Sequence, residues 1–155
     1  MLRFKILVST VPLLLAGVFA RSDLLTAPRP CIEAGGTSVQ IATAPWHADL
    51  HVDFTDDPLA ATVRVQIVES AEMADFVVVD DAESAEINTC GAGAAVRSVA
   101  IAGYPSSAQP IIYLSQDGGA DYRIFVRSKT FSAREAAALI VGANGGNPRI
   151  TAASL

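Results

Sequence analysis

Residues 46–55, WHADLHVDFT, alternate apolar and polar without exception. Trp46, Ala48, Leu50, Val52 and Phe54 fall on one side of a two-residue period, and His47, Asp49, His51, Asp53 and Thr55 on the other. That pattern predicts a half-buried strand. Further strands are predicted over 61–68, 95–102, 110–114 and 122–127. Residues 76–79, FVVV, lack polar alternation, and such a run suits a strand covered on both faces. Over 132–141 the period becomes helical. Ser132 and Glu135 make a capping box, Ala136, Leu139 and Ile140 supply a core face, and Gly142 and then Pro148 stop the helix. This Ala-rich helix is expected to cover the Val77 face of the sheet.

An internal echo organises these elements. VQIATAPWHADLHV at 39–52 and VQIVESAEMADFVV at 65–78 agree at six of fourteen positions, and a looser copy, VAIAGYPSSAQPII, occupies 99–112. Each unit reads as a strand, a connection of about six residues and a second strand. Parallel crossovers normally take a dozen or more residues, so strands joined so closely are expected to be antiparallel neighbours or to belong to different sheets. Asp117-Gly118-Gly119 predicts a hairpin between 110–114 and 122–127. The expected fold class is therefore α+β: a mostly antiparallel sheet built from repeated strand-turn-strand units, with one C-terminal helix packed on it.

Composition adds a location. Arg3 and Lys5 precede an apolar run to Ala20, and Val18-Phe19-Ala20 offers small residues where a signal peptidase cuts. Residues 1–20 are expected to be a signal peptide, 21–30 a flexible N-terminal segment, 31–143 a single domain and 144–155 a flexible tail. The apolar run is too short for a stable membrane span. A periplasmic or secreted protein meets an oxidising compartment, so Cys31 and Cys90 are expected to form a disulfide.

The chain carries 16 acidic and 11 Lys or Arg residues, a net charge of −5, which argues against nucleic acid as a partner. Acids are concentrated over 49–86, where Arg64 is the only Lys or Arg. That region, or a basic strand face bearing Arg123, Phe125, Arg127 and Lys129, is a candidate surface for an envelope protein partner. At the latter the charged residues read first as protection of a sheet edge against aggregation.

Candidate chemistry is sparse. His47 and His51 are four apart, but on a strand that spacing is about 13 Å, too far for one ion. A transition-metal site would need His47, Asp49, His51 and Asp53 to be joined by a ligand from a neighbouring strand. No cofactor is otherwise implied. Asp56-Asp57 and Asp80-Asp81 read as turn residues. Nucleophile-elbow, Walker and dinucleotide motifs are missing from the sequence, so no catalytic residue is assigned and an enzyme is not expected.

The stretches PWHADLHVDFTDDP and VRVQIVESAEMADFVVVDD together resemble small exported bacterial proteins of unknown function that carry this strand pattern after a signal peptide. The resemblance spans residues 31–141. It implies export and carries over no activity and no functional residue.

Overall fold

The structure is a computed structural model that describes residues 31–80, 95–103, 108–116 and 118–147. Eight strands form one sheet: β1 (Cys31–Ala34), β2 (Thr37–Ile41), β3 (Leu50–Thr55), β4 (Val63–Ile67), β5 (Phe76–Val79), β6 (Val96–Ile101), β7 (Ile111–Ser115) and β8 (Tyr122–Arg127). A helix, α1 (Ala133–Ala143), follows. The strand order is β1-β2-β6-β3-β7-β4-β8-β5.

Among the described residues only β1 and β2 pair antiparallel, and every other pair is parallel. The mostly antiparallel sheet expected from the short connections is thus overturned. So is the hairpin of β7 with β8, because β4 lies between them. The true hairpin joins β1 to β2. Gly35 and Gly36 take φ of 59° and 78°, the paired positive values that a two-residue primed turn requires.

The order shows how short parallel connections are possible. β2, β3, β4 and β5 never pair with one another; β6, β7 and β8 fill the three gaps between them. Residues 37–79 make a first winding with one-strand gaps, and residues 96–127 make a second winding inside those gaps. A connector must then travel back one strand length, about 16 Å, and sideways by two strand spacings, about 10 Å. The diagonal is about 19 Å, and the connectors 42–49, 56–62 and 68–75 can each span roughly 23–27 Å. The dozen-residue rule holds for crossovers that carry a helix over a flat sheet. Here the connectors lie directly on the strand they step over.

The winding has a thirteen-residue period. Val39, Val52 and Val65 are fully buried and Val78 is 8% exposed, and Val99 and Ile112 repeat the step in the second winding. These side chains point inward onto α1. From Ala136 to Val141 the helix is buried all round, and it packs against β1, β2, β3, β4, β6, β7 and β8. Such a helix must lie inside its sheet, which curls around it to be nearly closed. The expectation that α1 covers the Val77 face is corrected: Val77 and Val79 are 51% and 42% exposed, and Val78 faces in. Among the described residues, β5 is an edge of the sheet with no strand beyond it.

Both helix ends are built. Ser132 and Glu135 form the expected capping box. At the other end the helix runs through Gly142 rather than stopping there. Gly146 N–H donates to Val141 O (2.9 Å) and Gly145 N–H to Gly142 O (3.1 Å), the two bonds of a Schellman motif. Arg97 Nη1 also donates to Gly142 O at 2.8 Å, placing a cation at the negative helix end. Asn147, part of the expected tail, accepts a hydrogen bond from Tyr122 Oη through its carbonyl, at 2.8 Å.

The turn from β8 into α1 is organised by Asp80. Its carboxylate accepts from Ser128 Oγ (2.6 Å), Thr130 N–H (3.1 Å) and Lys129 N–H. The Ser128 hydroxyl first, and then the Lys129 amide, hold this carboxyl below its ordinary value of 3.8. In acid the folded state therefore binds fewer protons than the unfolded one. The contribution is complete above the ordinary value and is lost as pH falls through the folded one. Asp80→Asn is expected to lower the urea midpoint at pH 7, with the gap to the parent narrowing by pH 3. Equal midpoints at pH 7 would contradict this role.

Cys31 is buried at the start of β1 and is not free. Its expected partner Cys90, the expected signal peptide and segment at 1–30, and residues 148–155 of the tail lie outside the described residues.

Candidate interaction surface

The first winding displays its connectors on the outside of the coil, and each is anchored by the same device. Asp49 N–H donates to Ser98 O, and Asp49 Oδ2 accepts from Ser98 N–H at 2.7 Å. Thr62 does the same with Ile111, its Oγ1 accepting at 2.9 Å, and Asp75 with Arg123, also at 2.9 Å. Positions 49, 62 and 75 are thirteen apart and each immediately precedes a first-winding strand. Asp121, before β8, clasps Arg64 in the reciprocal sense at 2.8 Å. A short side-chain acceptor at a strand start thus ties one winding to the other. The sequence echo marks Asp49 and Asp75 but carries no sign of the clasp, and no pattern in the sequence singles out Thr62.

The four residues proposed for metal are put to different uses. His47 lies in a 3-10 turn (Pro45–His47), so the strand does not begin at Trp46 as the alternation predicts; it begins at Leu50. Asp49 is committed to Ser98. His51 is half-buried on β3 opposite Ala100. Asp53 is 3% exposed, with Oδ1 accepting from Phe54 N–H and Oδ2 buried without a partner. Among the described residues no group of three or more His, Cys, Asp or Glu is placed to hold a metal ion. The inner half of the alternation does hold, since Leu50, Val52 and Phe54 join the core. Arg134 of α1 stacks over the Phe54 ring at 4.1 Å.

The basic strand is not an edge. β8 lies between β4 and β5, which overturns the edge-protection reading. Arg123 is exposed but ion-paired to Asp75, Nη2 to Oδ1 3.1 Å, and this pairing raises its pKa. Phe125 is half-buried, and Arg127 and Lys129 are exposed beside a shallow cleft lined by Val79, Asp80, Val126 and Ser128.

What the alternation concealed is a row of apolar side chains. Trp46, expected on the buried side, is 79% exposed; Leu59 is 90% exposed and Met73 51%. They sit on three consecutive connectors, three, three and two residues before the clasp residues 49, 62 and 75. The turn bearing Trp46 packs over β6, and that bearing Met73 over β8. The equivalent clasps place the three at similar levels around the coil. Beside Met73 is a cleft of about 730 Å³ lined by Ile67, Leu114, Glu69 and Arg123. The signal was present in the sequence, since 46 and 59 stand one period apart, but only the thirteen-residue period reveals it.

Comparison with protein-family models, with curated proteins and with solved structures finds no match.

Proposed function

We propose that this chain is an exported, non-enzymatic binding module of the cell envelope, which meets its partner on the outer face of the first winding. The observation that carries this reading is the exposure of Trp46, Leu59 and Met73 on three successive connectors. Large apolar groups held outward by a clasped scaffold suit recognition, because burying them against a partner releases their hydration water. The basic, apolar and small-residue run of residues 1–20 supports export, and Cys31 would pair with Cys90 in that compartment. Between the two candidate surfaces, the acidic connectors are favoured over the Arg123 to Lys129 face, where Arg123 is already engaged by Asp75.

The test is a photo-crosslinking residue at Leu59 of the full chain in cells. A mature protein beginning at Arg21, found outside the cytoplasm and yielding a discrete adduct, is the expected result. An unprocessed cytoplasmic chain, or irradiation without an adduct, would contradict the reading.

A further inference from the structure

Resting on that reading of the outer face, we infer that the partner segment is a cationic polypeptide stretch carrying apolar side chains, which lies across the connectors and buries Trp46, Leu59 and Met73. Charge complementarity carries the assignment. Five acids on these connectors, Asp49, Asp56, Asp57, Glu69 and Glu72, are exposed. Within 31–80 the single Lys or Arg is Arg64, and it bends back onto the Pro58 carbonyl at 3.2 Å. Arg123, the cation in the lining of the cleft beside Met73, is ion-paired to Asp75, so the connectors keep a net negative charge. An anionic lipid surface or nucleic acid is repelled there, and a Lys- or Arg-bearing segment is attracted.

The geometry sets the segment's length. Connectors step over alternate strands of the nearly closed eight-stranded coil, so neighbouring apolar groups stand about a quarter of a turn apart and the three together cover about half of the outer circumference. A segment that meets all three follows the outer face round that half turn, on the order of 40 Å or twelve extended residues. Residues of alternating type then present apolar groups to the row and cations to the intervening acids. The cleft beside Met73, with Ile67 and Leu114 in its lining, receives one apolar side chain, and the neighbouring cation faces Glu69, on the side away from Arg123 and its partner Asp75.

Trp46 is the chain's single tryptophan and reports on its own site. The purified chain from Arg21 is titrated with three synthetic peptides of about twelve residues, long enough for the row: alternating Lys-Leu, all-Lys, and alternating Glu-Leu. Lys-Leu is expected to blue-shift Trp46 emission saturably, at least tenfold more tightly than all-Lys, and to weaken at high salt. Glu-Leu is expected to leave the emission unchanged. Leu59→Ser and Met73→Ser change exposed side chains and keep the reporter, and each is expected to weaken Lys-Leu binding about tenfold. Val77→Ser, on the edge strand, is expected to leave it unchanged.

Equal responses to Lys-Leu and Glu-Leu would overturn the cationic assignment while leaving the apolar row as a binding surface. No response to any peptide, or a response indifferent to Leu59 and Met73, would overturn the inference even where the cellular adduct forms. A blue shift with anionic vesicles and not with Lys-Leu would overturn it in favour of a membrane.

Discussion

A chain comprising only residues 31–80 is expected to be unfolded, although it contains five of the eight strands. Its strands β2 to β5 share no hydrogen bonds; each depends on β6, β7 or β8 for a neighbour. Val39, Val52, Val65 and Val78 would also lose the helix they pack on, leaving four apolar side chains in water at about 1.5–3 kcal/mol apiece. The β1–β2 hairpin remains possible, but an isolated hairpin is marginal in water. Circular dichroism and amide proton dispersion of the fragment are the measurements. Dispersed amides with native-like strand content would show that the first winding closes on itself, contrary to the interleaved order. Partners such as Ser38 with Val96, or Val63 with Ile112, lie far apart in the chain, so the intact protein is expected to fold slowly for its size.

The second large effect is expected at Gly142. A Cβ there would collide with Val99 Cγ2, at a fully buried residue of β6. Alanine favours a helix by about 1 kcal/mol over glycine, but overpacking a filled core typically costs about 1–3 kcal/mol or more. The contact is close enough for overpacking to win. Gly142→Ala is therefore expected to lower Tm by several degrees, on the order of 2–4 °C per kcal/mol for a chain of this size. Combining it with Val99→Ala should cost less than the sum of the two changes, because the second relieves the clash made by the first. A Gly142→Ala protein as stable as the parent would place α1 farther from β6 than described.

These expectations indicate what the sequence could and could not say. Strand and helix positions were largely legible, because a strand needs only its own two-residue alternation and α1 carries its capping box in Ser132 and Glu135. Direction was not legible. Alternation at 50–55 is the same whether β3 runs parallel or antiparallel to β6, and the choice rested on a connector-length rule that the interleaving evades. Exposure failed where the chain left the sheet: Trp46 continues the alternation of β3 by one more turn of pattern, yet Pro45 opens a 3-10 turn and takes it outside. FVVV looked doubly covered because valine suits a strand on either face, but β5 ends the sheet and leaves Val77 and Val79 in solvent. The helix looked one-sided because alanines at 136–138 give little hydrophobic contrast, although they are as buried as Leu139.

For the candidate site, the echo at 39–52 and 65–78 is every second copy of a shorter repeat. Halving it to thirteen residues lines up the inward valines, the clasp residues and the outward apolar groups together. Leu59 and Thr62 belong to the intervening copy, VDFTDDPLAATVR, whose residues differ too much from the other two to be recognised by identity. Its equivalence rests on what the positions do: one valine in, one acceptor at the strand start, one apolar group out.

The central claim is the interleaving, because the clasps and the outward row both follow from it. The most direct measurement is the set of interstrand nuclear Overhauser contacts around β4. The interleaved coil predicts that Val65 shows backbone contacts to Leu114 on one side and to Tyr122 on the other, with Thr62 beside Ile111. Direct backbone contacts between β7 and β8, with β4 beside neither, would restore the hairpin and contradict the account.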